Sequence, residues 1–306
     1  MGGRFRILLY AANAELAQAA ARAAFGRVGE LDQRLSDYRV DSELSRLGQS
    51  SDGPQQGQAI ALSPELFCVL AFAQQVSLET KGSFDVTVGP FVQLWRRARR
   101  QQQPPDPERL GRAARSVGYA KLRLDAASQS ATLEAAGMRL DLGGIAKGYV
   151  LDQALLALEA HGIERALLDA GGDLLASGPP PGRAAWRIQL DPRGEGSPLA
   201  TELTAGALAS SGDAYQFLEF EGQRYSHIVD PATGWGCTER YAASVRAPSA
   251  MQADAWASAL VVLGPERGLA LLEAHPELEG CLFTSSQSFP TRGFKALDPA
   301  ELDEAP

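Results

Sequence analysis

The stretch Leu140-Asp141-Leu142-Gly143-Gly144-Ile145-Ala146-Lys147-Gly148-Tyr149 sets the frame for everything around it. Met138 to Leu142 alternates apolar and charged residues and reads as the end of a strand. The paired glycines permit a tight turn and let backbone approach a ligand closely. The apolar spacing that follows predicts a helix from about Lys147 to His161, closed by Gly162. A strand, a glycine turn and a helix start leave backbone N–H groups where an anion is favoured, with Lys147 as a point charge beside them. The spacing is neither G-x-G-x-x-G nor G-x-x-x-x-G-K-S/T, so the dinucleotide and P-loop fingerprints are both absent. A plain strand–helix turn with an exposed Lys fits the same residues, and the segment alone does not choose between the two.

Working outward, residues 5–10 read as a strand. Residues 14–35 read as a helix, with Leu16, Ala20, Ala24, Val28, Leu31 and Leu35 at helical spacing. Ser63-Pro64 is a helix start, an N-cap followed by Pro at N1, and Gly82 is its stop. Residues 101–108 are a polar, Pro-rich surface excursion within one domain. Residues 121–142 predict short antiparallel strands. Downstream, 165–169, Trp186 to Leu190 and Arg224 to Val229 read as strands, and 178–182 as a loop. One helix follows Pro248-Ser249 and ends at Gly264; another runs from Pro265 to His275. Strands and helices come in mixed order, which favours α+β over a doubly wound sheet. Leu168-Asp169-Ala170-Gly171-Gly172 repeats the L-D-x-G-G pattern of Leu140–Gly144, as two similar turns or as the relic of a duplication.

Composition narrows the function classes. The 306 residues are 45% hydrophobic, enough for a sizeable core, and carry a net charge of −8, which gives no support to a nucleic-acid partner. The basic run Arg96, Arg97, Arg99 and Arg100 lacks interleaved aromatics and reads as a solvated helix end. Cys68, Cys237 and Cys281 form no C-x-x-C pair and fit buried thiols rather than a disulfide framework. No run approaches the ~18 apolar residues of a membrane span. Arg4 and Arg6 precede only Ile7-Leu8-Leu9-Tyr10, too short for a signal peptide, so a cytoplasmic location is expected if Met1 is the native start.

Three further groups could carry chemistry. Ser210-Ser211-Gly212-Asp213 makes a turn that can hydrogen-bond phosphate or ribose, as an ordinary Ser or Asx turn also would without a ligand. His227, in Tyr225-Ser226-His227-Ile228-Val229-Asp230-Pro231, is a candidate general base or a structural His. His161 and His275 sit at helix ends, where a cation suits the dipole. Asp254 and Ser258 are four residues apart on one helical face. Such a carboxylate and hydroxyl can share a hard cation such as Mg²⁺, or be a surface Asp and a back-bonded Ser.

Taken in order, these segments resemble the ApbE family, the FAD:protein FMN transferases. The resemblance runs from Met1 to about residue 285. It is carried by Leu35–Leu47 (LSDYRVDSELSRL), Gly82–Pro90 (GSFDVTVGP), Asp141–Gly148, Ala170–Asp173, Ser211–Asp213, His227–Pro231 and Ala253-Asp254. It implies a single two-lobed α+β domain over residues 1–306, related to the T-fold, with FAD between the lobes and 286–306 as a peripheral tail. It also implies Mg²⁺-dependent attack of an acceptor Ser or Thr hydroxyl on the FMN-side phosphorus of FAD, with AMP leaving.

Carried over, the cation ligands fall on the Gly144 carbonyl, Asp254 and Ser258. Flavin and FAD contacts fall on Met1, Tyr38, Ser83, Phe84, Asp85, Asp141, Lys147, Ser211, Gly212, Asp213 and Ile228, and the base on His227. The implied partner is an acceptor flavoprotein, such as a membrane redox subunit. The implied compartment is periplasmic or membrane-anchored if an N-terminal segment was trimmed. Ser258 stands where the family usually has Thr, Gly48 where it has Asn, and Gly3 where it has Thr. An FAD pyrophosphatase and a non-catalytic FAD-binding protein are the alternatives.

Overall fold

A computed structural model describes residues 4–191, 194 and 199–296. The chain forms two compact units. The first comprises residues 1–30, 145–214 and 241–306; the second comprises 31–144 and 215–240.

In chain order, β1 (Phe5–Tyr10) and α1 (Ala14–Leu35) come first. The second unit then contributes α2 (Glu43–Gln49), β2 (Ala59–Ala61), α3 (Pro64–Glu79), α4 (Gly89–Gln101), α5 (Pro107–Ala113), β3 (Leu122–Asp125) and β4 (Ser130–Leu133). The first unit resumes with α6 (Ala146–Glu159), β5 (Arg165–Ala170), β6 (Asp173–Ala176), β7 (Trp186–Leu190), β8 (Leu199–Leu203) and β9 (Gly206–Ser211). A hairpin of β10 (Phe217–Phe220) and β11 (Gln223–Ser226) returns to the second unit. The chain then closes the first with β12 (Ala242–Ala247), α7 (Ala250–Leu272), β13 (Glu279–Phe283) and β14 (Ser288–Pro290).

The first unit is built on a seven-stranded sheet in the order β1-β5-β6-β9-β12-β13-β14, antiparallel at every pairing. Helices α6 and α7 pack on it and on each other. Among the described residues α7 is the one helix long and apolar enough to cross a membrane, but half of its most apolar window is buried here. It is the core helix of this unit, with Ala253, Ala257 and Leu260 fully buried. Gly264, at φ 73°, and Pro265 break it, so the two helices expected from the sequence meet at a kink. The second unit holds a three-stranded sheet, β2-β4-β3, and an apolar cluster of Phe91, Trp95, Leu110, Leu218 and Val229.

Local chemistry sets the helix starts. Ser63 Oγ accepts from Leu66 N at 3.3 Å, Pro64 fills N1, and the Glu43 carboxylate accepts from Ser63 N and Oγ at 2.6 and 2.7 Å. Several expectations change. Of the three cysteines expected as buried thiols, Cys281 is buried, Cys237 is half-buried and Cys68 is exposed. Met138 to Leu142 is no strand; only an isolated bridge from Val88 to Arg139 forms there. Arg224 to Val229 is extended only to Ser226, with a separate bridge at Val229. Helix α4 continues to Gln101, shortening the polar excursion. Residues 288–290 pair with β13 at the sheet edge, so the segment from 286 is no simple tail.

The two L-D-x-G-G segments are different turns. Gly171 and Gly172, at φ 70° and 100°, form the two-residue link of the β5–β6 hairpin. Gly143 and Gly144 have no positive φ and lead into α6. What the segments share is the Asp: Asp141 accepts from Gly143 N at 2.8 Å, and Asp169 from Gly172 N at 2.9 Å.

Candidate functional site

In the first unit, the expected residues gather where α6, β6, β9 and α7 meet. Lys147, on the first turn of α6, donates to the Asp173 carboxylate on β6. Asp173 also accepts from Ser210 N on β9 at 3.3 Å. Asp254, on the second turn of α7, accepts from Gly148 N at 3.1 Å. One turn later, Ser258 Oγ lies 3.1 Å from Ser211 Oγ. Asp213 is buried nearby in sequence, past the end of β9.

Both Asp173 and Asp254 are 2% exposed, so two buried carboxylates face a single ammonium. Burial pushes the Asp254 carboxyl up to about 7; the Lys147 charge opposes that rise and Asp173 adds to it. Burial tends to discharge Lys147, but Asp254 and Asp173 outweigh it and hold the ammonium above its usual range. With both acids ionised, one negative charge stays uncompensated, which is expensive in a buried site. A hard cation would compensate it, and the donors on hand are oxygens. Among the described residues no three His, Cys, Asp or Glu cluster as a metal cage. The Asp254 carboxylate and the Ser258 hydroxyl one turn on are oxygen donors of the kind that suit Mg²⁺, which binds through one or two carboxylates and takes its other ligands from water and substrate phosphate.

In the second unit, a cavity of about 200 Å³ is lined by Asp37, Ser45, Gly48, Arg96, Arg139 and Asp141 among others. Arg96 is not a solvated helix end. Its guanidinium bridges Asp37 at 2.6 Å and Asp141 at 3.0 Å, and lies 4.2 Å from the centroid of the Tyr38 ring. The α4 helix turns this residue inward while Arg97 and Arg100 stay at its periphery, a distinction that a run of like charges conceals. Asp85 is 6% exposed and accepts from N and Oγ1 of Thr87, each at 2.7 Å, so its carboxylate shapes its own turn. Phe84 is buried beside it, and Phe84 N donates to Thr80 Oγ1. Ser83 follows Gly82, whose φ is 83°.

His227 is held by the β10–β11 hairpin. Its backbone N donates to Gln216 O at 3.1 Å, and its Nδ1 is 3.1 Å from the same carbonyl. A carbonyl only accepts, so Nδ1 carries the proton and Nε2 is the basic nitrogen of the neutral ring. Ile228 N donates to Ser226 Oγ at 3.0 Å. The other histidines have structural company: His161 Nδ1 contacts Ala157 O, and His275 packs on Trp256. Met1 lies outside the described residues.

A model of the ApbE family matches residues 1–282. The chain belongs to the ApbE family. An FAD:protein FMN transferase of Haemophilus influenzae is 32% identical to it over 277 residues, 88% of this chain and 79% of that one. One from Vibrio cholerae is 34% identical over 253 residues, 80% and 74% of the two chains. Among solved structures, a His-to-Gly mutant of the flavin transferase ApbE from Vibrio cholerae matches with a TM-score of 0.85 at 28% identity, covering 95% of each chain. The ApbE protein of Thermotoga maritima matches at 0.84 and 25% identity, covering 95% and 94%. The ApbE match agrees with the α+β architecture expected from the mixed element order.

Three residues of this ApbE chain escaped the sequence reading. Arg96 is visible only as part of a basic run that reads as a solvated helix end, and Asp37 only as part of the Leu35–Leu47 motif; their pairing gives no signal, because residues 59 positions apart share no periodicity. Asp152 could have been found: it interrupts the buried run Tyr149, Val150, Leu151 and Ala154, where a carboxylate needs partners.

Burial, then the charge of Asp37, raises Asp141 to about 6 from 3.8, against the pull of Arg96. A raised carboxyl favours the fold when protonated. Its contribution is full below about pH 4 and is lost as pH rises through 6. An Asp141→Asn variant is free of that loss. Between pH 4 and 7.5 its unfolding free energy should gain about 2 kcal/mol relative to wild type, read by urea denaturation at both pH values.

Proposed function

We propose that this chain transfers the FMN moiety of FAD to a Ser or Thr hydroxyl of an acceptor flavoprotein, in a Mg²⁺-dependent reaction that releases AMP. The named relatives are FAD:protein FMN transferases. Within the molecule, the reading rests most directly on the half-buried Lys147 facing the buried carboxylates of Asp173 and Asp254, beside two hydroxyls. Phosphoryl transfer depends on positioning and charge neutralisation more than on covalent participation.

The acceptor oxygen forms a bond to the FMN-side phosphorus while the P–O bond to AMP breaks, and the hydroxyl proton goes to His227 Nε2. The Gln216 carbonyl keeps Nδ1 protonated, so Nε2 is the nitrogen ready to receive it. Lys147, held charged at the start of α6, attracts the pyrophosphate along with the helix N-terminus. The cation ligands are assigned to the Gly144 carbonyl, Asp254 and Ser258. Bound there, Mg²⁺ supplies neutralisation of the charge that develops as AMP leaves. Tyr38 and Asp141 are assigned to FAD together with Met1, Ser83, Phe84, Asp85, Ile228 and Ser211 to Asp213. A membrane redox subunit is the class of acceptor proposed.

The test incubates the chain with FAD, Mg²⁺ and a candidate acceptor domain. A covalent fluorescent band with stoichiometric AMP is expected. Free FMN and AMP with no band would make it a pyrophosphatase, and intact bound FAD across cognate acceptors would make it a binder. A His227→Ala variant is expected to transfer about 10²–10⁴-fold more slowly in single-turnover assays. An unchanged rate across pH 6–8 would remove His227 from the reaction.

A further inference from the structure

Asp152, on the second turn of α6, is absent from every motif above. Its two carboxylate oxygens accept from the first two amides of α7, Ala250 N at 2.7 Å and Met251 N at 2.9 Å. Ser249 Oγ takes the third, Gln252 N, at 3.2 Å. Three of the four donors that a helix start leaves without intrahelical partners are thus satisfied, two of them by Asp152. The reverse contact runs from α7 to α6, where Asp254 accepts from Gly148 N. Each helix therefore caps the other.

We infer that Asp152 is a positioning residue for Asp254. By clamping Ala250 and Met251 it fixes the turn of α7 from which Asp254 projects, and with it the direction of that carboxylate. The inference rests on the assignment of Asp254 as a cation ligand. A working site has to hold its groups within about 0.5 Å, and a ligand on a helical second turn inherits any fraying of the first. Without Asp152, Ser249 alone secures the start of α7. Asp254 then trades its fixed aim for a spread of orientations, and Gly148 N loses its acceptor for part of the time.

The test compares full-length wild type, Asp152→Ala and Asp152→Asn, each checked for fold by circular dichroism. In Asp152→Ala, the Mg²⁺ concentration giving half-maximal AMP release should rise at least tenfold, while KM for FAD changes less than threefold. Asp152→Asn keeps one accepting oxygen and should return the Mg²⁺ requirement to within about threefold of wild type. Hydrogen exchange without FAD or metal should quicken at residues 250–252 and also at Gly148 on the other helix. A wild-type Mg²⁺ requirement with unchanged Gly148 exchange would overturn the inference. If Asp152→Ala fails to fold, Asp152→Asn is judged on exchange alone: with one accepting oxygen it leaves one of the two α7 amides without its acceptor, so exchange at residues 250–251 should quicken, and unchanged exchange there and at Gly148 overturns the inference equally. If wild type itself releases no AMP, the functional assignment fails while exchange at Gly148 still decides the clamp.

Discussion

An Asp254→Asn variant should release AMP from FAD at least 10²–10³-fold more slowly than wild type, about the loss found when one preorganised electrostatic group is removed from a polar transition state. Asparagine is nearly isosteric and its carbonyl can still accept from Gly148 N, so the α6–α7 contact survives. What disappears is one of two buried negative charges. Lys147 and Asp173 then form a neutral pair, and the cluster has no charge left to offer a cation. Because the substitution removes a buried charge rather than a partner, stability should not fall. FAD affinity should stay largely intact, since the remaining contacts are untouched. Single-turnover AMP release, with a thermal melt and an FAD titration alongside, separates these effects. A rate within tenfold of wild type would refute Asp254 as a cation ligand.

Gly148→Ala should fail to accumulate as folded protein. A Cβ there would stand 2.1 Å from Ala250 O, 2.4 Å from its carbonyl carbon and 2.6 Å from Met251 N. All three are backbone atoms in the first turn of α7, so no rotamer change relieves the clash. Separating the helices would break the Asp152 and Asp254 caps together, and the loss should be at the upper end of overpacking, about 3 kcal/mol or more. Gly29→Ala, inside α1 with nothing within 4 Å of the added Cβ, is the matched control. It should stabilise the protein by about 0.5–1 kcal/mol through backbone entropy. Soluble yield of Gly148→Ala beside wild type, with urea denaturation of wild type and Gly29→Ala, checks the contrast.

Local chemistry made much of this fold legible. Residues 14–35 read as a helix because their apolar spacing is helical, and α1 spans Ala14–Leu35. Ser63-Pro64 read as a start because cap and N1 preferences act within four residues. The sheet order was not legible. Strand β6 is buried throughout, so it lacks alternation, and β9 pairs with β12 across some 35 residues. The site divided the same way. Lys147, Asp254 and Ser258 announced themselves by glycine turns and helical spacing. The salt bridges that orient such groups, from Lys147 to Asp173 and from Arg96 to Asp37 and Asp141, depend on tertiary approach.

The interleaving of the two units bears on how the protein is made. Strand β1 leaves the ribosome well before its partner β5, which begins at Arg165. Strand β9 waits for β12, and α7, which carries Asp254, is made only after β12. Lys147 and Asp173 can meet on the nascent chain well before then. The acid cluster is completed only when α7 docks, so a chain stalled before residue 250 holds two of its three charges and none of the paired caps. Long-range closure of this kind makes folding slow and the incomplete chain vulnerable. It also means that site assembly can serve, during synthesis, as a readout of finished folding.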